Sequence, residues 1–174
     1  MTRLLARYRI PLLALFGLAV LGFIALQFAD RFVEDWQRSN PPVTASITWD
    51  SPETEQLMRA ACYDCHSNET VWPWYTYIAP VSWFTANHVN DGRDGLNLSD
   101  PTQWTPANYQ DMIDHIEDGD MPLPAYILLH PDANLTPEQR EQLIVGIERT
   151  FDYVRGSVDS DMADMEMPQA TPEP

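Results

Sequence analysis

The sequence predicts a small all-α domain with long Pro- and Trp-rich connections, preceded by one apolar N-terminal helix. Three observations predict it. Residues 10–29 form a run of twenty without a charge, interrupted by Pro11, two glycines and Gln27. Beyond them, Ser/Thr- or Pro-headed helix starts recur, each followed by apolar residues three and four apart. Strand patterns are scarce: residues 71–78 are the only candidate, and Pro73 counts against a hydrogen-bonded ladder.

A length of 174 residues accommodates one domain of about 100–150 residues plus appendages. Twenty-six Asp and Glu oppose ten arginines, with no lysine, for a formal charge of −16. That balance excludes a nucleic-acid or anionic-lipid surface, because phosphates would be repelled. It is also divided. Residues 1–29 hold three arginines and no acid, whereas the rest holds seven arginines against all twenty-six acids, giving +3 and −19.

As a helix, residues 10–29 span about 30 Å, the thickness of a bilayer's hydrocarbon core. A cleaved signal peptide would have a shorter apolar stretch, of about 7–15 residues, and a small residue where Gln27 stands before an Ala29–Asp30 boundary. The reading is an uncleaved, single-pass anchor in the cytoplasmic (inner) membrane. Arg3, Arg7 and Arg9 hold a basic stub (1–9) inside, and everything after residue 30 lies outside, in a periplasmic or equivalent space.

Residues 30–47 read as a juxtamembrane linker. Residues 30–38 continue the helix, with Trp36 near the membrane interface, until Asn40-Pro41-Pro42 breaks it. Residues 48–155 form the folded domain. Its first helix has Asp50 or Ser51 as cap and Pro52 at its first position, and runs through Leu57, Met58 and Ala61. The second begins near Pro80, places Val81, Phe84 and His88 on one face, and ends before Gly92. The third has Thr105 as cap, Pro106 at its start, an apolar face of Tyr109, Met112, Ile113 and Ile116, and Gly119 as its stop. The fourth has a capping box of Thr136 and Gln139, then Leu143, Ile144, Ile147, Phe151 and Val154. Residues 156–174 are acidic and lack aromatics, which reads as a disordered tail.

One motif is specific: Cys62-Tyr63-Asp64-Cys65-His66, which holds both cysteines of the chain. C-x-x-C-H is the attachment sequence of c-type haem. Two thiols on one helical turn reach two vinyl groups of a porphyrin edge, and the following His supplies the proximal iron ligand. Haem is attached outside the cytoplasm, where the anchor would put the motif. A thioredoxin-like dithiol would need a strand–helix–strand setting, and structural zinc a second ligand pair; neither pattern is present.

For the sixth position, Met121 stands in a loop stiffened by Pro122 and Pro124, and Met/His ligation raises the reduction potential as an electron-transfer site requires. His88 and His130 are alternative ligands, although a core or loop-ordering role suits each. His115, among Asp111 and Asp118, reads as solvent-exposed. Arg93 is a candidate bidentate partner for a haem propionate, and Trp83 an apolar wall of the cofactor site.

Further along, Ser67-Asn68-Glu69-Thr70 follows the motif, then Trp72-Pro73-Trp74-Tyr75, Ile78-Ala79-Pro80-Val81-Ser82-Trp83, His88-Val89, Gly92-Arg93, Leu96-Asn97-Leu98-Ser99, Met121-Pro122 and Leu128-Leu129-His130-Pro131. Together these resemble the bacterial haem-binding-domain family of membrane-anchored, single-haem c-type cytochromes, over residues 55–150. Asp100-Pro101-Thr102-Gln103 departs from it as an insertion. The resemblance implies a cytochrome c-like helical domain with one covalent haem c on Cys62 and Cys65, His66 as proximal ligand and Met121 as distal ligand. The expected function is single-electron transfer outside the membrane. The expected partner is a redox protein, or a respiratory or photosynthetic complex, that offers a basic docking surface. The alternatives are a haem enzyme or gas sensor with an open sixth site, and a haem-free dithiol module.

Overall fold

The computed structural model describes residues 2–164, with side chains from 9 to 152, and among these every regular element is helical. Helix α1 covers Thr2–Leu26. Residues Arg9–Leu26 are long and apolar enough to cross a membrane, and none is buried against the rest of the molecule. Eighteen such residues rise about 27 Å. The helix stops short of the expected end at Ala29 because Gln27 turns back: its Nε2 donates to the Phe23 carbonyl (3.0 Å) and its Oε1 accepts from the Ala79 amide (2.9 Å). Residues 30–38 do not continue α1. They form two 3₁₀ turns, Ala29–Phe32 and Glu34–Trp36, and the Trp36 ring stacks on Trp83 with centroids 4.5 Å apart.

The domain then builds α2 (Pro52–Ala61), the single turn α3 (Tyr63–His66), α4 (Val81–Gly95), α5 (Pro106–Asp118), the short α6 (Pro124–Ile127) and α7 (Pro137–Asp164). Capping side chains set the starts as expected. The Ser51 hydroxyl accepts from Thr54 N, Thr105 from Asn108 N, and Thr136 and Gln139 bond each other's backbone amides. Gly119, at φ 75°, closes α5. Residues 71–78 form no strand; their only regular piece is a 3₁₀ turn, Trp74–Tyr77. Two boundaries differ from expectation. Helix α4 continues through Gly92 to Gly95, and α7 runs on through part of the expected disordered tail to Asp164. Residues 165–174 lie outside the described residues.

Packing follows the apolar faces. α2 and α5 lie against α7, and one continuous core extends from Ile47 and Trp49 to Leu143 and Ile147. Met58 and Ile147 are wholly excluded from solvent, and burial of side chains of this size contributes about 1.5–3 kcal/mol each. Where α2 crosses α7, a Cβ on Gly146 would overlap the buried Thr54 side chain, so the glycine sets the approach of the two helices. Thr150 joins them again, accepting from Asp50 N (3.0 Å) and donating to Gly146 O (2.8 Å).

Gly146→Ala should therefore lower the unfolding free energy by about 1–3 kcal/mol, since a packed crossing has no room for the methyl. Gly95→Ala, whose methyl would enter open space, should leave the melting temperature unchanged or raise it. Equal responses in thermal melts would contradict this packing.

Candidate functional site

Cys62 interrupts the helix path between α2 and α3, with φ −124° and ψ −40°. Its carbonyl accepts from both Cys65 N (3.2 Å) and His66 N (2.9 Å), which closes the turn. That turn rests on the backbone of α4. An added Cβ at Gly92 would sit 2.7 Å from the Cys65 carbonyl oxygen, so only glycine permits the contact. Gly92 is therefore a seat for the motif within α4 rather than the end of the helix.

The next turn of α4 orients the imidazole. His66 Nδ1 lies 3.0 Å from the Leu96 carbonyl, and the Leu98 amide donates to the His66 carbonyl at 2.7 Å. A carbonyl accepts only, so Nδ1 carries the proton and Nε2 keeps its lone pair for a metal. Burial lowers the His66 pKa, which keeps the ring neutral.

His66 lines a cavity of about 320 Å³ together with Cys62, Cys65 and Met121; Leu96, Leu98, Met112, Ile116 and Leu123 supply apolar wall. The chain reaches Met121 from the Gly119 stop of α5, and the Met121 amide is held on the His115 carbonyl at 3.3 Å. The structure thus brings the two thiols, the imidazole and the thioether to one space. Burial pushes the Cys62 thiol up to about 12 and the Cys65 thiol up to about 11. Thiols so protonated lack the lowered pKa of a dithiol redox pair.

Other candidates are distributed differently. His88 also lines this cavity; its Nδ1 bonds the Phe84 carbonyl at 2.8 Å and its ring packs on Phe84. His115 is solvent-exposed as expected, between Asp111 and Asp120, and it also borders the cavity. His130 is corrected as an alternative ligand. It lies off this cavity and both ring nitrogens are engaged, Nδ1 with Tyr126 O (3.0 Å) and Nε2 with Tyr75 OH (3.2 Å). Trp83 is likewise corrected, because its ring stacks on Trp36 away from the cavity.

Arg93 is the clearest correction. Its side chain is buried off the cavity wall and its donors are taken by the protein: Nε donates to Ser67 O (2.8 Å), Nη1 to Ser39 O (2.9 Å), and Nη2 to Asn40 Oδ1 (3.1 Å) and Thr70 Oγ1 (2.8 Å). It clamps the linker and the post-motif loop onto α4. Gln103 supports this region, since its Oε1 accepts from Asn97 N at 2.7 Å, next in the chain to Leu96.

Sequence reasoning missed three contributors. The Leu96 carbonyl, as a backbone group, leaves no residue-type signal. Asp64, between the cysteines, accepts from Val71 N (2.9 Å) and Tyr126 OH (2.8 Å), tying the motif to the following loop and to α6. Tyr126 itself lines the cavity. Its place in an apolar run after Met121-Pro122 was the available signal.

An apolar cavity of this size falls within the range of small-molecule sites. Two thiols on one turn, an imidazole with Nε2 free and a loop thioether form a donor set that fits a haem, so fold and site together define a helical haem-binding domain. The chain belongs to the haem-binding domain family, whose sequence profile matches residues 21–149. No curated protein and no solved structure matches the chain.

The clamp predicts a stability effect. Arg93→Met strips a charged donor from four acceptors and should cost about 2–4 kcal/mol of unfolding free energy. Arg93→Lys should recover less than half of that, because an ammonium cannot span the fork. Denaturant titration checks both values, and a neutral Arg93→Met would contradict the clamp.

Proposed function

We propose that this protein is a membrane-anchored, single-haem c-type cytochrome that carries one electron at a time on the outer side of the cytoplasmic membrane. The observation that carries the reading is the convergence of Cys62, Cys65, His66 and Met121 on one apolar cavity. In this reading Cys62 and Cys65 hold the haem as thioethers, His66 Nε2 is the proximal ligand and Met121 the distal one. The bound haem supplies one-electron iron chemistry. The protein supplies orientation through the Leu96 carbonyl and an apolar wall that limits water. With both axial positions filled by protein, the site suits electron transfer better than substrate binding.

Helix α1 is the anchor, and Arg3, Arg7 and Arg9 keep its N-terminus in the cytoplasm. The net −19 beyond residue 29 favours a donor or acceptor with a basic surface. A second reading, a haem enzyme or gas sensor with a labile sixth site, is favoured by His88 and His115 on the cavity wall, where polar groups can face a bound ligand.

Spectra of the haem-loaded protein in both oxidation states separate the two. Low-spin spectra that carbon monoxide leaves unchanged are the expected result, whereas ready binding of the gas supports the sensor and overturns the carrier. Met121→Ala should lower the reduction potential and open the site to carbon monoxide; an unchanged spectrum would move the sixth position to His88. Reduction by a basic redox protein should slow by about tenfold or more from low to physiological ionic strength. A salt-independent rate would remove the basic partner.

A further inference from the structure

We propose that the haem domain lies flat on the phospholipid bilayer through one uncharged face formed by residues 70–90 and 121–131. The proposal rests on α1 spanning the membrane. Charged residues make up 21% of the chain, yet neither segment contains an Asp, Glu, Lys or Arg. Every exposed large hydrophobic side chain after Val43 belongs to these two segments among the described residues. Val71 (71%), Trp74 (76%), Tyr77 (58%) and Phe84 (54%) come from the first, with Leu128 (79%) and Leu129 (57%) from the second. Soluble domains seldom leave such a set contiguous and uncovered.

The two segments form one surface. Val71, Val81 and Phe84 line an apolar cavity of about 260 Å³ together with Leu123, Ala125 and Leu129. The Tyr75 hydroxyl meets His130 Nε2 at 3.2 Å across the same seam.

What covers this face follows from its position. Gln27, the residue after the last turn of α1, accepts a hydrogen bond from the Ala79 amide at 2.9 Å. The face therefore begins at the level where the apolar helix ends. Exposed Phe28 and Phe32 continue the apolar surface along the same junction. Arg38 stands over the Tyr77 ring at 4.4 Å and donates to the Thr76 carbonyl, a cation at the edge of an aromatic patch. Exposed Trp and Tyr beside an apolar span are what the headgroup boundary selects. The acidic remainder of the domain would be repelled by anionic lipid, so attachment is apolar and proceeds on zwitterionic lipid. Cys65, His88, Leu123 and Tyr126 line both this cavity and the haem cavity, so docking holds the haem site next to the membrane surface.

The test uses the full, haem-loaded chain in phosphatidylcholine nanodiscs that contain a lipid with a photoactivatable acyl chain, with adducts mapped by mass spectrometry. Adducts in 70–84 and 121–131, in addition to α1, are expected, with α5 nearly free of them. Trp74→Glu and Leu128→Glu, neither on the haem cavity, should each lose the adducts of its own segment while the haem spectrum is unchanged. Should either variant fail to fold, the map of the unaltered chain decides. Adducts confined to α1 would overturn the docked face while leaving the anchor in place. Equal labelling of α5 would overturn it as well. A complete lack of adducts, with release of the protein by alkaline carbonate, would overturn the anchor and the face together.

Discussion

The site depends on how one turn of helix sits on another. Tyr63–His66 rests on the α4 backbone at Gly92, and the placement of Cys65 and His66 follows from that seat. With Cys65 O against the glycine, His66 falls within hydrogen-bond reach of the Leu96 carbonyl at the end of the same helix. The Leu98 amide then returns to the His66 carbonyl, so the turn is fixed from both sides. Arg93, one residue after the seat, locks the arrangement by bonding Ser67 O just past the motif. A buried guanidinium is costly to desolvate, and its hydrogen bonds to oxygen acceptors offset that cost. The pattern Gly92-Arg93 thus serves two mechanical purposes: a small residue for contact and a fork for tension.

Much of this was legible in the sequence, and the part that was not has a common cause. Ser51, Thr105 and the Thr136/Gln139 box announced their helices because capping is local, requiring only residues three apart. The two cysteines and His66 stand out in the sequence because C-x-x-C-H is a rare, fixed spacing, and the structure places all three on one cavity. What failed were inferences about direction in space. The sequence suggests a propionate for Arg93 and the cofactor wall for Trp83, but an arginine's partners can be backbone carbonyls, which no residue pattern records. Gly92 was read as a stop because glycine favours helix ends; a close approach from a distant turn asks for the same residue. His115 is exposed as its polar neighbours suggest, and its place at the cavity rim is a second property that no local pattern records.

Charge and apolar surface are segregated on the domain. Acidic residues are excluded from 70–90 and 121–131 and concentrate elsewhere, notably along α5 and the start of α7. An uncharged face suits lipid, while an acidic remainder suits a basic soluble or membrane-bound redox partner, and the two do not compete. Beyond the motif, the ionisable residues on the cavity wall are His88, Asp91, Asp111, His115 and Tyr126, with no arginine among them. A haem bound there would meet an apolar wall and no arginine.

The proposed function stands or falls with a haem bound covalently through Cys62 and Cys65 beside His66. The most direct measurement is the intact mass of the full chain, denatured after production in a host that attaches haem outside its cytoplasm. A mass increase of one haem that survives denaturation and disappears when both cysteines are replaced, Cys62→Ser with Cys65→Ser, is the expected result. A chain that retains only its polypeptide mass, or that sheds haem on denaturation, would contradict it.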